Sequence, residues 1–82
     1  MITSLQMKEM LVKTFDLEES PEEIDDSTQI IGGGLELDSV DALEIVVQIE
    51  KRFKIKIKNE DIKMDSFKTV SSLTTFVNGY TH

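Results

Sequence analysis

Residues 39–53 contain neither glycine nor proline and are rich in strong helix formers, so this stretch is committed to one long helix. Projected at roughly 100° per residue, Ala42, Leu43, Ile45, Val46, Ile49 and Phe53 cover one broad arc. Asp41, Glu44, Gln48, Lys51 and Arg52 gather opposite, with Val40 and Val47 on the boundary. The pattern predicts a helix from Ser39 to Phe53 that buries the arc. The apolar residues beside Glu44 and near Glu50 suit a core edge and a partner-facing edge equally well.

Two more helices follow from the same periodicity. In residues 3–16, Met7, Met10, Leu11 and Phe15 recur at three- and four-residue steps behind a possible Thr3/Gln6 capping box. Near the other end, Val70, Leu73, Phe76, Val77 and Tyr80 form the last helix, opened by Ser66 or Thr69 and stopped by Gly79. Asn59-Glu60-Asp61-Ile62 reads as a short capped helix before it. Lys54-Ile55-Lys56-Ile57-Lys58 alternates as a strand would, yet no second run matches it, so it is expected to be an extended connector.

Residues 17–37 form a long loop, with one helical turn at Ser20-Pro21-Glu22-Glu23 and a flexible Gly32-Gly33-Gly34. A loop of this length is either functional or pinned, and Ile24, Ile30, Ile31 and Leu35 are the expected anchors. The whole pattern predicts an all-α fold. It is a small four-helix bundle of three longer helices and one short one, with the long loop between helices one and two and residues 1–82 in a single domain. Such a chain buries only about 60% of the surface its unfolded form exposes.

Nine Lys and Arg against sixteen Asp and Glu give a net charge of −7, the wrong sign for a phosphate backbone, so no nucleic acid is expected as partner. The acidity suits transient encounters with basic patches on enzymes. With no cysteine there is neither a disulfide nor a thiolate metal site. No leader or membrane span is recognisable, and a cytoplasmic monomer is expected.

The most informative residue is Ser39. Asp38 is placed to cap the long helix, with Asp41 as its capping-box partner, so Ser39 becomes the first helical residue. A helix start favours an anion through its free amides and dipole, which marks the position as one that could receive a phosphoester. No general base lies near Ser39 in sequence, and the lone histidine, His82, is the last residue. No catalytic residue and no metal ligand are therefore expected. Residues 25–27 lack the spacing of a calcium loop, and the triple glycine is not followed by the Lys-Ser/Thr of a phosphate loop. A small helical interaction domain, with Ser39 as no more than a helix-start residue, is the alternative reading.

The run Leu37-Asp38-Ser39-Val40-Asp41-Ala42-Leu43-Glu44-Ile45, set in this order of helices, resembles the acyl carrier proteins and their Asp-Ser-Leu motif, with Val40 replacing the leucine. The resemblance spans nearly the whole chain. It implies that a phosphopantetheinyl transferase attaches 4'-phosphopantetheine from coenzyme A to Ser39, beside Asp38, and that the arm's thiol holds acyl groups for fatty-acid, lipid or polyketide synthesis. It also implies a partner surface of Asp41, Glu44, Glu50, Val40 and Val47 for acyl-transfer, condensing and reducing enzymes with basic patches. An acyl pocket at Leu43, Val46, Ile57 and Ile62, with Val47 beside it, is implied as well. A peptidyl or D-alanyl carrier is the neighbouring alternative. Lys51, Arg52, Lys54, Lys56 and Lys58 depart from the acidic surface of common fatty-acid carriers and point to a dedicated pathway.

Self-repulsion at a net charge of −7 should make stability depend on salt. The melting temperature is expected to rise with added NaCl or with millimolar divalent cation, and a scan that shows no change with either would contradict this.

Overall fold

The computed structural model describes residues 2–31 and 37–80, with only the backbone at Ser39 and Met64. These residues form three α-helices, α1 (Ser4–Phe15), α2 (Ser39–Phe53) and α3 (Val70–Asn78). Single 3-10 turns occur at Pro21–Glu23, Asn59–Asp61 and Met64–Phe67. The fold is all-helical; among the described residues, bridge pairing is confined to isolated bridges at Gln29 with Thr69 and Ile31 with Leu37.

The short fourth helix of the expected bundle is replaced by two of these 3-10 turns. In the first, Asp61 N–H reaches Lys58 O at 3.0 Å and Ile62 N–H reaches Asn59 O at 3.1 Å, with no side-chain cap. Three residues close one turn, and nucleation is too costly for so short a segment to become an α-helix by itself. Ser66 lies in the second turn, so Thr69 alone opens α3.

Each α-helix begins with a reciprocal cap. At α1, Thr3 Oγ1 accepts from Gln6 N–H at 3.2 Å and Gln6 Oε1 accepts from Thr3 N–H at 2.8 Å. At α3, Thr69 Oγ1 accepts from Ser72 N–H and Ser72 Oγ from Thr69 N–H, both at 3.1 Å. The remaining first-turn amides of α3 are satisfied from far away in the sequence. Val70 N–H donates to Thr28 O at 3.2 Å and Ser71 N–H to Asp26 O at 2.8 Å, while Ile30 N–H reaches Lys68 O at 2.9 Å. These three bonds pin the first loop onto the start of α3 and answer its length in physical terms. A salt bridge of 2.8 Å from Lys8 to Asp26 ties the same loop to α1. That lysine, and after it a hydrogen bond from Ser4, hold the Asp26 carboxyl below the ordinary aspartate value.

The core joins Met7, Met10 and Leu11 of α1 to Ala42, Ile45, Val46 and Ile49 of α2 and to Val70, Leu73 and Val77 of α3. Of the loop anchors, Ile24 and Ile30 are buried and Ile31 packs against the core, whereas Leu35 and the triple glycine lie outside the described residues. Leu43 corrects the sequence reading: it is 63% exposed. Its position is roughly 160° around the helix from Ile45 and 120° from Ile49, so burying those two turns it outward.

α2 ends with Lys54 in the left-handed region at φ 57°, a conformation usually reserved for glycine. The connector after it is extended, with Ile57 buried, Ile55 half-buried and Lys54, Lys56 and Lys58 exposed. Glu50 Oε2 accepts from Ile57 N–H at 2.9 Å and ties the connector back to α2. At the far end, Tyr80 O–H donates to Asp61 Oδ2, and the Tyr80 ring sits edge-on to Phe76 with centroids 5.5 Å apart.

The bond to Asp61, followed by desolvation, raises the Tyr80 pKa above the ordinary value of about 10. A raised pKa means the folded state holds this proton more tightly than the unfolded chain does. Its stabilisation is complete below the unfolded value and disappears as pH climbs through the folded one. Tyr80 is the sole tyrosine, so absorbance at 295 nm titrates it alone. The midpoint is expected above that of free tyrosine and is expected to fall in Asp61→Asn; equal midpoints in the two proteins would disprove the bond.

Candidate functional site at the start of the second helix

Leu37 is buried and Asp38 is exposed, so the chain leaves the core at the residue that caps α2. Asp38 is extended, with φ −114° and ψ −176°, and its Oδ1 accepts from Val40 N–H at 3.0 Å and Asp41 N–H at 3.2 Å. Asp41 Oδ2 accepts from Asp38 N–H at 3.0 Å. The capping box is thus closed in both directions, and the Ser39 backbone is held as the first residue of the helix. Burial of Leu37 on one side and Ala42 on the other fixes the direction in which the chain enters α2.

This geometry changes one part of the sequence argument. The Val40 and Asp41 amides that a helix start would offer to an anion are already bound by Asp38, and two carboxylates meet the positive end of the dipole. Fit to a phosphate-bearing group therefore rests on the exposure of the flanking residues and on the attachment chemistry of a serine hydroxyl. The surroundings are open: Asp38 is exposed and Val40 is 71% exposed. A covalently held group could leave the surface here without displacing any core residue.

The expected partner residues lie along the outer side of α2. Val40 and Val47 are exposed, Asp41 is half-buried, and Glu44 is exposed with its Oε1 accepting from Gln48 Nε2 at 3.0 Å. Glu50 is half-buried and committed to Ile57, which gives it a structural use. Of the expected pocket residues, Val46 and Ile57 are in the core and Ile62 packs against it, while Leu43 stands outside. No group of three or more His, Cys, Asp or Glu among the described residues is placed to hold a metal ion.

Two features were missed by the sequence reading. One is the Tyr80–Asp61 bond beside Ile62. The other is an open groove of about 430 Å³ between α1 and α2, lined by Met10, Lys13, Thr14, Glu44, Gln48, Lys51 and Arg52. The only available signal for it was the set of cations in the last turns of both helices.

Comparison with known proteins is consistent with this geometry. A family model described as phosphopantetheine attachment site matches residues 6–77. An acyl carrier protein of Onion yellows phytoplasma (strain OY-M) is 44% identical over 43 residues, covering 52% of this chain and 54% of that protein. The match thus spans only about half the length of that relative. The holo acyl carrier protein of Nitrosomonas europaea, solved by solution NMR, superposes with a TM-score of 0.82 at 24% identity, covering 96% of this chain and 95% of that one. A crystal structure of an engineered Bradyrhizobium japonicum glycine:[carrier protein] ligase complexed with carrier protein from Agrobacterium tumefaciens and ATP gives 0.73 at 21% identity, with 92% and 95% covered. At these identities the two structures establish the fold.

Truncating the cap tests how the site is held. Asp38→Ala should lower stability by about 1 kcal/mol, and Asp38→Asn by less, because asparagine can still accept from the same amides. Urea unfolding measures both, and equal losses would mean that charge, not capping, is what Asp38 contributes.

Proposed function

Because this chain belongs to the family of phosphopantetheine attachment domains, we propose that Ser39 is the residue that bears the group and that the chain is an acyl carrier serving fatty-acid, lipid or polyketide synthesis. Members of the acyl-carrier type are carriers and not enzymes, and their cofactor is a covalently attached 4'-phosphopantetheine. When attached, the group supplies a terminal thiol that holds acyl chains as thioesters. The observation that carries the assignment to Ser39 is its place at the start of α2, fixed by the Asp38–Asp41 box, within the matched residues 6–77.

The protein's own part is positional. Asp38 and Asp41 hold the helix start rigid, and the open surroundings leave the attachment point accessible to a phosphopantetheinyl transferase, which brings coenzyme A and Mg²⁺. Asp38, Asp41 and Glu44, with Val40 and Val47 between them, are proposed to meet basic patches on that transferase and on acyl-transfer, condensing and reducing enzymes. Glu50 supports the same face by holding the connector. Val46, Ile57 and Ile62 are proposed to line the space into which an acyl chain withdraws, with Leu43 and Val47 at its outer edge. The dependence on coenzyme A places this work in the cytoplasm, and the carrier acts as a monomer. No helix among the described residues is long and apolar enough to cross a membrane. The exposed basic segment after Glu50 favours a dedicated pathway over the housekeeping one.

Incubation with coenzyme A, Mg²⁺ and a broad-specificity phosphopantetheinyl transferase, followed by intact mass measurement, tests the assignment. The parent should gain one phosphopantetheine and Ser39→Ala none. A gain that persists in Ser39→Ala, or no gain in a folded and unmodified parent with several transferases, would refute it.

A further inference from the structure

Residues 51–58 contain five cations and no acid, so with −7 overall the rest of the chain carries −12. Lys51, Arg52, Lys54, Lys56 and Lys58 are all exposed, and among the described residues none of their side chains makes an ion pair or hydrogen bond. The nearest acid on α2, Glu50, is turned to the Ile57 amide instead. Lys13 of α1 joins Lys51 and Arg52 across the groove between the helices. Helix dipoles account for cations in a last turn, which covers Lys13, Lys51 and Arg52. They do not account for Lys54, Lys56 and Lys58, which lie past the end of α2, where any polar residue would serve as the outward neighbour of Ile55 and Ile57.

These charges continue an ordered surface. Val40, Val47 and Lys51 fall within about 40° of one line along α2 at roughly 100° per residue. Leu43 stands beside that line, and Val40, Leu43 and Val47 are 71%, 63% and 40% exposed. From the capping carboxylates to the connector, the face therefore runs acidic, apolar, basic.

We infer that this face docks a protein partner whose own surface runs basic, apolar, acidic, and that residues 51–58 with Lys13 receive an acidic segment of that partner. The inference deepens the docking part of the proposed function and rests on it for the partner's being an enzyme of the carrier's pathway. A protein can present both signs at fixed spacing. A lipid surface offers one, and an anionic bilayer would repel the −12 remainder. Opposed ends also set the direction of docking. An enzyme with a uniformly basic patch would meet Lys51 and Lys54 with like charge and be rejected, which is how such a chain would be kept from the partners of uniformly acidic carriers.

The test is a nitrogen-15 NMR titration of the full chain with three probes: hexaglutamate, hexaarginine and phosphatidylglycerol vesicles. Hexaglutamate should shift the amides of residues 51–58 and Lys13 while leaving Lys63 and Lys68 in place. Hexaarginine should shift those around Asp38, Asp41 and Glu44, and vesicles should leave the spectrum unchanged. Lys51→Glu/Lys56→Glu, with its fold checked in the same spectrum, should weaken hexaglutamate binding at least about tenfold. Equal shifts at Lys63 and Lys68, no binding of hexaglutamate, binding to vesicles, or indifference of the double variant would overturn the inference. Mass gain at Ser39 in the same preparation separates the two claims. Modification without hexaglutamate binding defeats the surface alone, and binding without modification defeats the carrier reading while leaving the surface.

Discussion

The rotation of α2 about its own axis is set by burial of Ala42, Ile45, Val46 and Ile49, and the rest of the molecule is arranged around that choice. Burying an aliphatic side chain contributes about 1.5–3 kcal/mol, a large share of the stability open to a domain of this size. No other rotation of the helix offers a comparable stripe. Once it is chosen, Val40, Leu43 and Val47 must face solvent, and Glu44, Gln48, Lys51 and Arg52 must border the groove against α1. The same burial that stabilises the fold therefore composes the surface on which partners would dock.

The start of α2 is held by a separate mechanism. Leu37 enters the core, Asp38 and Asp41 exchange hydrogen bonds, and the backbone at Ser39 is fixed between them. This local box occupies the Val40 and Asp41 amides, two of those that would otherwise attract an anion. Between an exposed Asp38 and an exposed Val40, the site is better suited to covalent attachment than to reversible phosphate binding, and that distinction agrees with membership of a phosphopantetheine attachment family.

Elsewhere the fold is held by bonds between distant segments. Asp26 and Thr28 carbonyls complete the start of α3, Glu50 holds Ile57, and Asp61 accepts from Tyr80. The first two attach a segment without regular structure to an α-helix, and the third joins the turn at Asn59–Asp61 to the chain just past α3. A chain with a small core needs such ties, since a loop as long as the first one and an unpaired connector contribute few buried contacts of their own.

The three α-helices, their Thr3, Asp38 and Thr69 caps, the turn at Pro21–Glu23 and the non-strand character of the connector were legible in the sequence, because caps and periodicity act over three or four residues. The position of Ser39 at a helix start was legible for the same reason. The outward turn of Leu43, the 3-10 character of Asn59–Asp61, the basic groove and the Tyr80–Asp61 bond were not. What the sequence by itself determined was where helices begin and end, and hence where the serine proposed for attachment stands. Only the tertiary structure decided which apolar residues of α2 are core and which are surface, because that depends on how α1, α3 and the connector divide its circumference, and local periodicity carries no information about it.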